Sequence, residues 1–126
     1  MVFDFRRGSV SESEPGREPV MRGGVSQVGP EWLADQLKTG PDALRIIDVR
    51  EVHEFDGPQG HIEGAELVPL GSLTAKVAGW DRKETLVMVC RSGTHSNQTA
   101  MVLRHMGFET VHNLQGGMIG WSRRRR

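Results

Sequence analysis

The sequence LVMVCRSGTHS, residues 86–96, decides how the rest of the chain is interpreted. Four apolar residues precede Cys90, the only cysteine of the chain, and a short polar loop follows it. Four residues are too few for a core helix, and their Leu, Val and Met composition predicts a strand that is buried on both faces. A helix is predicted over residues 96–106, with Gly107 as its stop signal. Cys90 is therefore expected at a strand end that faces the N-terminus of a helix.

The predicted surroundings of Cys90 favour the ionised form of its thiol. At a helix N-terminus, unpaired backbone N–H groups and the positive end of the helix dipole stabilise an anion, and successive loop N–H groups add to the effect. The thiol is therefore expected to be partly a thiolate and nucleophilic. The alternative is that Cys90 is a small buried hydrophobic residue, as free cysteines often are. A position inside a strand would suit that alternative better than a strand end.

Length and composition limit both the fold and the function. A chain of 126 residues can form one domain with a substantial core, but not two. A single cysteine excludes an internal disulfide and points to a reducing compartment. Sixteen basic residues balance sixteen acidic ones, so we expect neither nucleic acid nor an anionic membrane as a partner. No apolar run approaches the roughly 18 residues of a membrane span, and the N-terminus lacks the apolar stretch of a secretory signal, so a cytoplasmic location is expected.

The chain divides into an extension, a domain and a tail. Residues 1–24 are rich in Gly, Ser, Pro, Glu and Arg without a hydrophobic period, which predicts a flexible N-terminal extension. Residues 25–121 form the predicted domain, and residues 122–126 form a basic C-terminal tail. The arginines of the tail are expected to be solvated, with a partner-binding patch as the alternative.

Predicted strands and helices alternate along the domain. The predicted strands are residues 25–28, 44–49, 65–68, 86–90 and 111–114. The predicted helices are residues 30–37, 52–55, 70–78 and 96–106, with a final turn or short helix at residues 116–121. This alternation predicts an α/β fold with a mainly parallel sheet and helices on both faces.

Charged residues at a predicted strand end are expected close to Cys90. In such sheets the ligand crevice lies outside the carboxyl ends of the strands, which brings Asp48 and Arg50 into its neighbourhood. An isolated carboxylate is costly there, so Asp48 is expected to be held by backbone N–H groups or by Arg91. Arg50 and Glu54 are four residues apart and could pair. We expect this set to support the loop geometry, without taking part in the chemistry itself.

A series of motifs resembles the rhodanese homology domain and follows that family's order. The motifs cover about residues 25–121 and are Ile47-Asp48-Val49-Arg50, Glu54-Phe55, Gly60-His61-Ile62, Gly64-Ala65, Val68-Pro69, Cys90-Arg91-Ser92-Gly93, Gly116-Gly117 and Trp121. The resemblance implies a five-stranded, mainly parallel sheet flanked by helices. It also implies a thiosulfate sulfurtransferase whose cysteine carries sulfane sulfur as a persulfide. No cofactor and no metal are expected.

The resemblance implies a role for each matching position. Cys90 is the sulfur-accepting nucleophile, and His61 lies in a turn with a structural role. The residues of the active-site loop that binds the substrate are Arg91, Ser92, Gly93, Thr94, His95 and Ser96. The residues that match the acid-Arg-acid pattern supporting this loop are Asp48, Arg50 and Glu54.

Sulfur is expected to pass through a Cys90 persulfide. The thiolate attacks the outer sulfur of thiosulfate or of a persulfide, displacing sulfite or a thiol. Loop N–H groups, with the hydroxyls of Ser92, Thr94 or Ser96 as further candidates, would stabilise the anionic product. Arg91 either draws in the donor or points to solvent. The acceptor is cyanide or a thiol, including a protein thiol. The alternative function is a non-catalytic rhodanese-like module that binds a partner or senses redox state.

Several departures from the family pattern affect the predicted site. The segment between Phe55 and Gly60 is longer by about two residues, and the chain ends soon after Trp121. His95 stands where many single-domain members have arginine, and is a solvated residue, a pH-dependent cation or a proton donor. Cell-cycle phosphatases and arsenate reductases resemble rhodaneses but use Cys-x5-Arg, whereas the sixth residue after the cysteine is here Ser96. Without that arginine an oxyanion lacks its bidentate partner, so negligible phosphatase activity is predicted.

Overall fold

Six strands form one sheet within residues 18–124, the part of the chain that the computed structural model describes. The strands are β1 (Val20–Arg22), β2 (Val25–Val28), β3 (Arg45–Asp48), β4 (Glu66–Leu67), β5 (Thr85–Val89) and β6 (Thr110–Leu114). Their order in the sheet is β1-β2-β6-β5-β3-β4. All neighbouring pairs are parallel except β1 and β2. The predicted α/β class with a mainly parallel sheet is confirmed.

Helices connect the parallel strands. They are α1 (Pro30–Thr39), α2 (Val52–Phe55), α3 (Leu73–Val77), α4 (Thr94–His105) and α5 (Gly117–Arg123). Two short 3-10 turns, Pro41–Ala43 and Leu70–Ser72, precede β3 and α3. Within residues 18–124, no helix is both long and apolar enough to cross a membrane.

Helices cover both faces of the sheet, as expected. One face packs against α3 and α4 through Val77 and Leu103, and the other packs against α1 and α5 through Leu33 and Met118. The central strand β5 is enclosed between these layers, and successive side chains point to opposite faces. This enclosure explains why residues 86–89 form an unbroken apolar run without the alternation of a half-exposed strand.

The sheet has six strands instead of the expected five because a hairpin forms before β2. Strand β1 lies in the segment 1–24 that was assigned to a flexible extension, and it pairs antiparallel with β2. Gly23 and Gly24 connect the two strands with φ values of 59° and 84°. Consecutive residues with positive φ are typical of the tight turns that join hairpin strands. The end of the presumed extension therefore belongs to the sheet, whereas residues 1–17 lie outside the described part.

Some helix bounds differ from those predicted. Helix α4 begins at Thr94, two residues early, because Gly93 with φ 97° turns the loop directly into the helix. A 3-10 turn precedes α3, where one continuous helix over residues 70–78 was expected. Helix α5 continues through Arg123, so the segment 122–126 begins inside a helix, and its last two residues lie outside the described part.

Candidate active site

Cys90 directly follows β5, and its sulfur faces the start of α4. Strands β3 and β5 are parallel, with Asp48 opposite Val89, so their carboxyl ends meet at the same edge of the sheet. Cys90 is only 4% exposed. The backbone N–H groups of Gly93 and Ser96 both donate to Sγ, at 3.1 and 3.3 Å.

These two N–H groups are the right kind of partner for a sulfur anion. Hydrogen bonds to an ionised acceptor are roughly twice as strong as bonds between neutral groups. The backbone also holds the donors in place before any reaction, so little reorganisation is needed when charge develops on the sulfur. The arrangement can therefore stabilise a thiolate or a persulfide at this position.

Gly93 allows the loop to pass close to the end of β6. Its φ is 97°, and a Cβ atom there would lie 3.0 Å from the nitrogen of Gly116 and 3.1 Å from the oxygen of Leu114. Both neighbours are backbone atoms, which cannot swing away as a flexible side chain would. A side chain at this position would therefore push the loop away from β6 and move one of the N–H donors.

Helix α5 holds the loop from the opposite side. The N–H groups of Met118 and Ile119 donate to the carbonyl oxygens of Cys90 and Arg91, at 2.9 and 3.1 Å. Gly117 precedes them with φ 54°, and a Cβ atom there would overlap both carbonyl oxygens. The Gly116-Gly117 motif thus allows α5 to lie close to the backbone of Cys90.

A buried network of amide side chains supports the loop from behind. Asn113 donates through Nδ2 to the carbonyl oxygen of Gly93 at 3.1 Å and to Oε1 of Gln27 at 2.9 Å. Its Oδ1 accepts a hydrogen bond from the Ser96 hydroxyl at 2.5 Å. Gln27 in turn donates to Oδ1 of Asn97 at 2.6 Å. The network links β2, β6 and α4 directly behind the two N–H donors.

Sequence reasoning missed this network, although a signal for it exists. Gln27 and Asn113 stand in the short segments VSQV of β2 and VHNL of β6, in which every residue is buried. Buried polar groups are nearly always hydrogen-bonded, so both amides require partners. Which partners they find depends on strand order, because the two residues are 86 positions apart.

The hydroxyl groups of the loop do not have the expected arrangement. The Ser96 hydroxyl donates to Asn113, so Ser96 contacts the sulfur through its backbone N–H and not through its side chain. Ser92 and Thr94 are exposed and line a separate cavity of about 340 Å³ on the other side of the loop. The backbone therefore provides the hydrogen-bond donors to Sγ in this structure.

Asp48 and Arg50 form a buried ion pair beside the loop. Nε and Nη2 of Arg50 donate to the two carboxylate oxygens of Asp48 at 2.9 and 2.8 Å, and the Arg50 backbone N–H adds a third bond at 3.1 Å. Nη2 also donates to the carbonyl oxygen of Gly60 at 2.8 Å. The side chain of Asp48 is 0% exposed and that of Arg50 is 3% exposed. The pair ties the end of β3 to the loop before β4.

Two side-chain pairings that the sequence suggested, Asp48 with Arg91 and Arg50 with Glu54, are not formed. Asp48 binds Arg50, whose side chain folds back over the strand end, whereas Arg91 is exposed. Glu54 does not pair with Arg50, because Oε1 of Glu54 accepts the backbone N–H of Glu51 at 3.2 Å. The Glu51 side chain accepts the N–H of Glu54 in return, which forms a capping box at the start of α2. Local helix capping thus determines the position of Glu54.

A cavity of about 260 Å³ lies in front of Cys90. Its lining combines apolar groups with the following ionisable residues: Arg50, Glu51, Glu54, Cys90, Arg91 and His95. Part of the predicted loop and part of the acid-Arg-acid pattern therefore meet at one cavity. His95 and Arg91 are exposed at this site.

His61 is held away from the cysteine cavity. Its ring stacks on Phe55 with centroids 3.7 Å apart and planes 5° from parallel, and Nδ1 lies 2.9 Å from the Phe55 carbonyl oxygen. These contacts close the loop that follows α2. The residue is exposed and does not line the cavity at Cys90, which agrees with a structural role.

A larger cavity of about 500 Å³ lies near the opposite ends of β3 and β5. Arg45 donates there to Glu66 at 2.7 Å and to Glu84 at 2.8 Å. The Glu66 carboxylate, more than any other group, raises the pKa of Arg45. Three of the charged side chains that line this cavity are thus paired with one another.

A comparison of the sequence with known protein families agrees with this geometry of the site. The model of the rhodanese-like domain matches residues 29–124 of the chain, which include the cysteine loop, the Asp48–Arg50 pair and the Gly116-Gly117 motif. The chain belongs to the rhodanese-like family. The resemblance found from the sequence motifs is thereby confirmed.

Relatives of this rhodanese-like domain include proteins named for sulfur transfer. The thiosulfate sulfurtransferase GlpE of Shewanella oneidensis is 32% identical over 83 residues, which are 66% of this chain and 80% of GlpE. YrkF of Bacillus subtilis is 31% identical over 124 residues. That match covers 91% of this chain but 65% of the length of YrkF.

A solved structure shows the same fold. The crystal structure of a rhodanese-like domain protein from Staphylococcus aureus aligns with a TM-score of 0.67 and 25% identity. The alignment covers 75% of this chain and 89% of that protein. The sheet and helices of this rhodanese-like domain are therefore those of the family.

Proposed function

We propose that this rhodanese-like domain is a sulfurtransferase that carries sulfane sulfur as a persulfide on Cys90. The observation that supports this most directly is the pair of backbone N–H groups from Gly93 and Ser96 donating to Sγ. A cavity of about 260 Å³ gives a small donor access to this sulfur. Family membership and a relative named for thiosulfate sulfur transfer support the same function.

The proposed reaction has two displacement steps. In the first, the Cys90 thiolate attacks the outer sulfur of thiosulfate, a new S–S bond forms, and sulfite leaves with the electron pair of the old bond. A persulfide donor reacts in the same way and releases a thiolate. In the second step, the acceptor attacks the outer sulfur of the Cys90 persulfide. Cyanide gives thiocyanate, a thiolate gives a new persulfide, and the Cys90 thiolate is restored.

The charges at the cavity bear on the choice of donor. Arg50 is neutralised by the buried carboxylate of Asp48, and Glu51 and Glu54 also line the cavity. The remaining basic groups at the entrance are Arg91 and His95. Attraction of dianionic thiosulfate would therefore depend on these two side chains, whereas a persulfide of lower charge would need them less. We propose thiosulfate or a persulfide as donor, and cyanide, a small thiol or a protein thiol as acceptor.

The location proposed for this reaction is the cytoplasm. Cys90 is a free, buried thiol, and it is the only cysteine of the chain. A reducing compartment keeps such a thiol available for sulfur transfer and supplies thiol acceptors. The active-site residues proposed for the reaction need no metal or organic cofactor, since the cysteine itself carries the sulfur.

Intact mass spectrometry tests the proposal. After incubation with thiosulfate or with glutathione persulfide, the wild-type protein is expected to gain the mass of one sulfur atom and to lose it when cyanide is added. Cys90→Ser is expected to gain none and to form no thiocyanate, while unfolding at a temperature close to that of the wild type. A wild-type protein that retains sulfur from neither donor would refute the proposal in favour of a binding or redox-sensing module.

A parallel assay separates sulfur transfer from phosphate chemistry. Ser96 occupies the position of the arginine that closes the Cys-x5-Arg loop, and its hydroxyl is engaged by Asn113. An oxyanion in the cavity would thus lack the bidentate partner of the phosphatase loop. Hydrolysis of an aryl phosphate is expected to be negligible, and turnover comparable to sulfur transfer would contradict the proposed function.

A further inference from the structure

Asn113 contacts both residues whose N–H groups point at the cysteine sulfur. Its Nδ2 group donates to the carbonyl oxygen of Gly93, and its Oδ1 accepts from the Ser96 hydroxyl. Asn113 is 3% exposed, and its second Nδ2 hydrogen is used by Gln27. Both Nδ2 hydrogens and the Oδ1 atom of Asn113 are thus hydrogen-bonded directly behind the Cys90 loop.

The surrounding groups allow only one orientation of the Asn113 amide. The carbonyl oxygen of Gly93 can only accept a hydrogen bond, so the nitrogen of Asn113 must face it. The same nitrogen then requires Oε1 of Gln27, and Nε2 of Gln27 must face Oδ1 of Asn97. A reversed amide would bring the Asn113 oxygen against two acceptors. Gln27 therefore helps to fix the orientation of the Asn113 amide.

Such a restraint matters because the loop depends on a glycine. Gly93 has φ 97°, and glycine has more backbone freedom than any other residue. Its carbonyl oxygen is held by Asn113 and by the N–H of Asn97 at 3.2 Å. Holding this carbonyl restricts rotation of the residue whose N–H donates to Sγ at 3.1 Å. The bond to Ser96 restrains the second donor from the same side chain.

We propose that Asn113 is a positioning residue that keeps the Gly93 and Ser96 N–H groups aimed at the sulfur of Cys90. Asn113 does not line the cavity in front of Cys90, so it acts on the sulfur through the loop and not on the donor molecule. The proposed role in persulfide formation rests on the sulfurtransferase function proposed above. Its effect on the thiolate can be measured without any sulfur transfer.

The test compares the reactivity of Cys90 in two Asn113 variants. Asn113→Asp has the same size but replaces the two N–H donors with an oxygen, and Asn113→Leu removes all polar groups. In both variants alkylation of Cys90 by iodoacetamide at neutral pH is expected to slow about tenfold, since an N–H contact to the sulfur anion is weakened. The pH at which the alkylation rate is half-maximal is expected to move upward. With thiosulfate, kcat is expected to fall while KM stays near the wild-type value.

A matched control separates this role from a loss of stability. Val77 takes no part in the Asn113 hydrogen bonds and does not line the cavity in front of Cys90, so Val77→Ala, which removes buried volume from α3, is expected to lower stability while leaving the alkylation profile unchanged. Ser96→Ala removes only the hydroxyl bond to Asn113 and keeps the backbone N–H, so an intermediate slowing is expected. Ser96→Ala also tests the positioning role if the Asn113 variants fail to fold.

The outcomes distinguish the positioning role from the proposed function. Wild-type alkylation profiles in the Asn113 and Ser96 variants would overturn the positioning role, even in a protein that transfers sulfur. Equal slowing by Val77→Ala would also overturn it, because general destabilisation would then explain the effect. If the Asn113 variants shift the profile but the wild type retains no sulfur, the sulfurtransferase function fails and the positioning of the thiolate stands.

Discussion

The contact between α5 and the backbone of the cysteine makes Gly117→Ala a sensitive test of this site. The added Cβ atom would overlap the carbonyl oxygens of Cys90 and Arg91, which are held by N–H groups of the same helix. A backbone carbonyl cannot rotate away as a side chain does. Either α5 moves outward or the segment that carries Cys90 moves inward.

The expected loss of stability can be worked out from two contributions. Gly117 has φ 54°, and a residue with a Cβ atom in that left-handed conformation costs about 1–2 kcal/mol. Separating α5 from the loop also weakens the hydrogen bonds of Met118 and Ile119, each worth about 0.5–1.5 kcal/mol. The total is about 2–5 kcal/mol, which leaves most domains folded at room temperature.

Gly23→Ala is a matched control for the backbone conformation. Gly23 has φ 59°, close to that of Gly117, but an added Cβ atom would meet only the flexible end of Met101, at 3.9 Å. It lies in the turn between β1 and β2, away from Cys90. A loss of about 1–2 kcal/mol with normal cysteine reactivity is therefore expected.

Urea unfolding and alkylation of Cys90 measure the two effects. Gly117→Ala is expected to lower the free energy of unfolding by more than Gly23→Ala and to slow alkylation as well, because the sulfur moves relative to its N–H donors. If the two variants lose the same stability and both alkylate at the wild-type rate, the contact between α5 and the loop has no role in placing the sulfur of Cys90.

Three further predictions concern ionisable side chains. His95 lies at the cavity entrance, so His95→Arg, which places a permanent positive charge there, is expected to lower KM for thiosulfate; an unchanged KM in steady-state kinetics would return His95 to a surface role. Arg50→Met leaves the buried carboxylate of Asp48 without its guanidinium partner and is expected to cost about 3–5 kcal/mol in urea unfolding, and adding Asp48→Asn should restore part of it. A cost below roughly 1 kcal/mol, as for exposed ion pairs, would contradict the buried pair. Burial lowers the pKa of His112, so as the pH falls below about 6.5 the unfolded state takes up the proton first and stability is lost. His112→Gln is expected to reduce this acid-dependent loss of stability, whereas His53→Gln, a substitution at an exposed position, is the control and is expected to leave the loss unchanged. If the free energy of unfolding has the same slope against pH in both variants, His112 is not the cause of the loss.

The sequence alone predicted the features that depend on neighbouring residues. An apolar run too short for a helix identified β5, and the cysteine after it was correctly placed at the strand end that faces α4. The alternation of strands and helices predicted the parallel sheet, and the ordered motifs identified the family. The hairpin of β1 and β2 was missed, although the Gly23-Gly24 pair is a local signal for it, because the polar composition around it favoured a flexible segment.

Only the tertiary structure decided which side chains surround Cys90 and its loop. Arg50, and not Arg91, neutralises Asp48, because its side chain folds back at the strand end. The amides of Gln27 and Asn113 meet because β2 and β6 are neighbours in the sheet, although 86 positions separate them along the chain. A sequence shows that a buried amide needs a partner, but the partner depends on strand order and register. Those are settled by the packing of the sheet, because a shift of register by one residue would turn Gln27 or Asn113 to the opposite face.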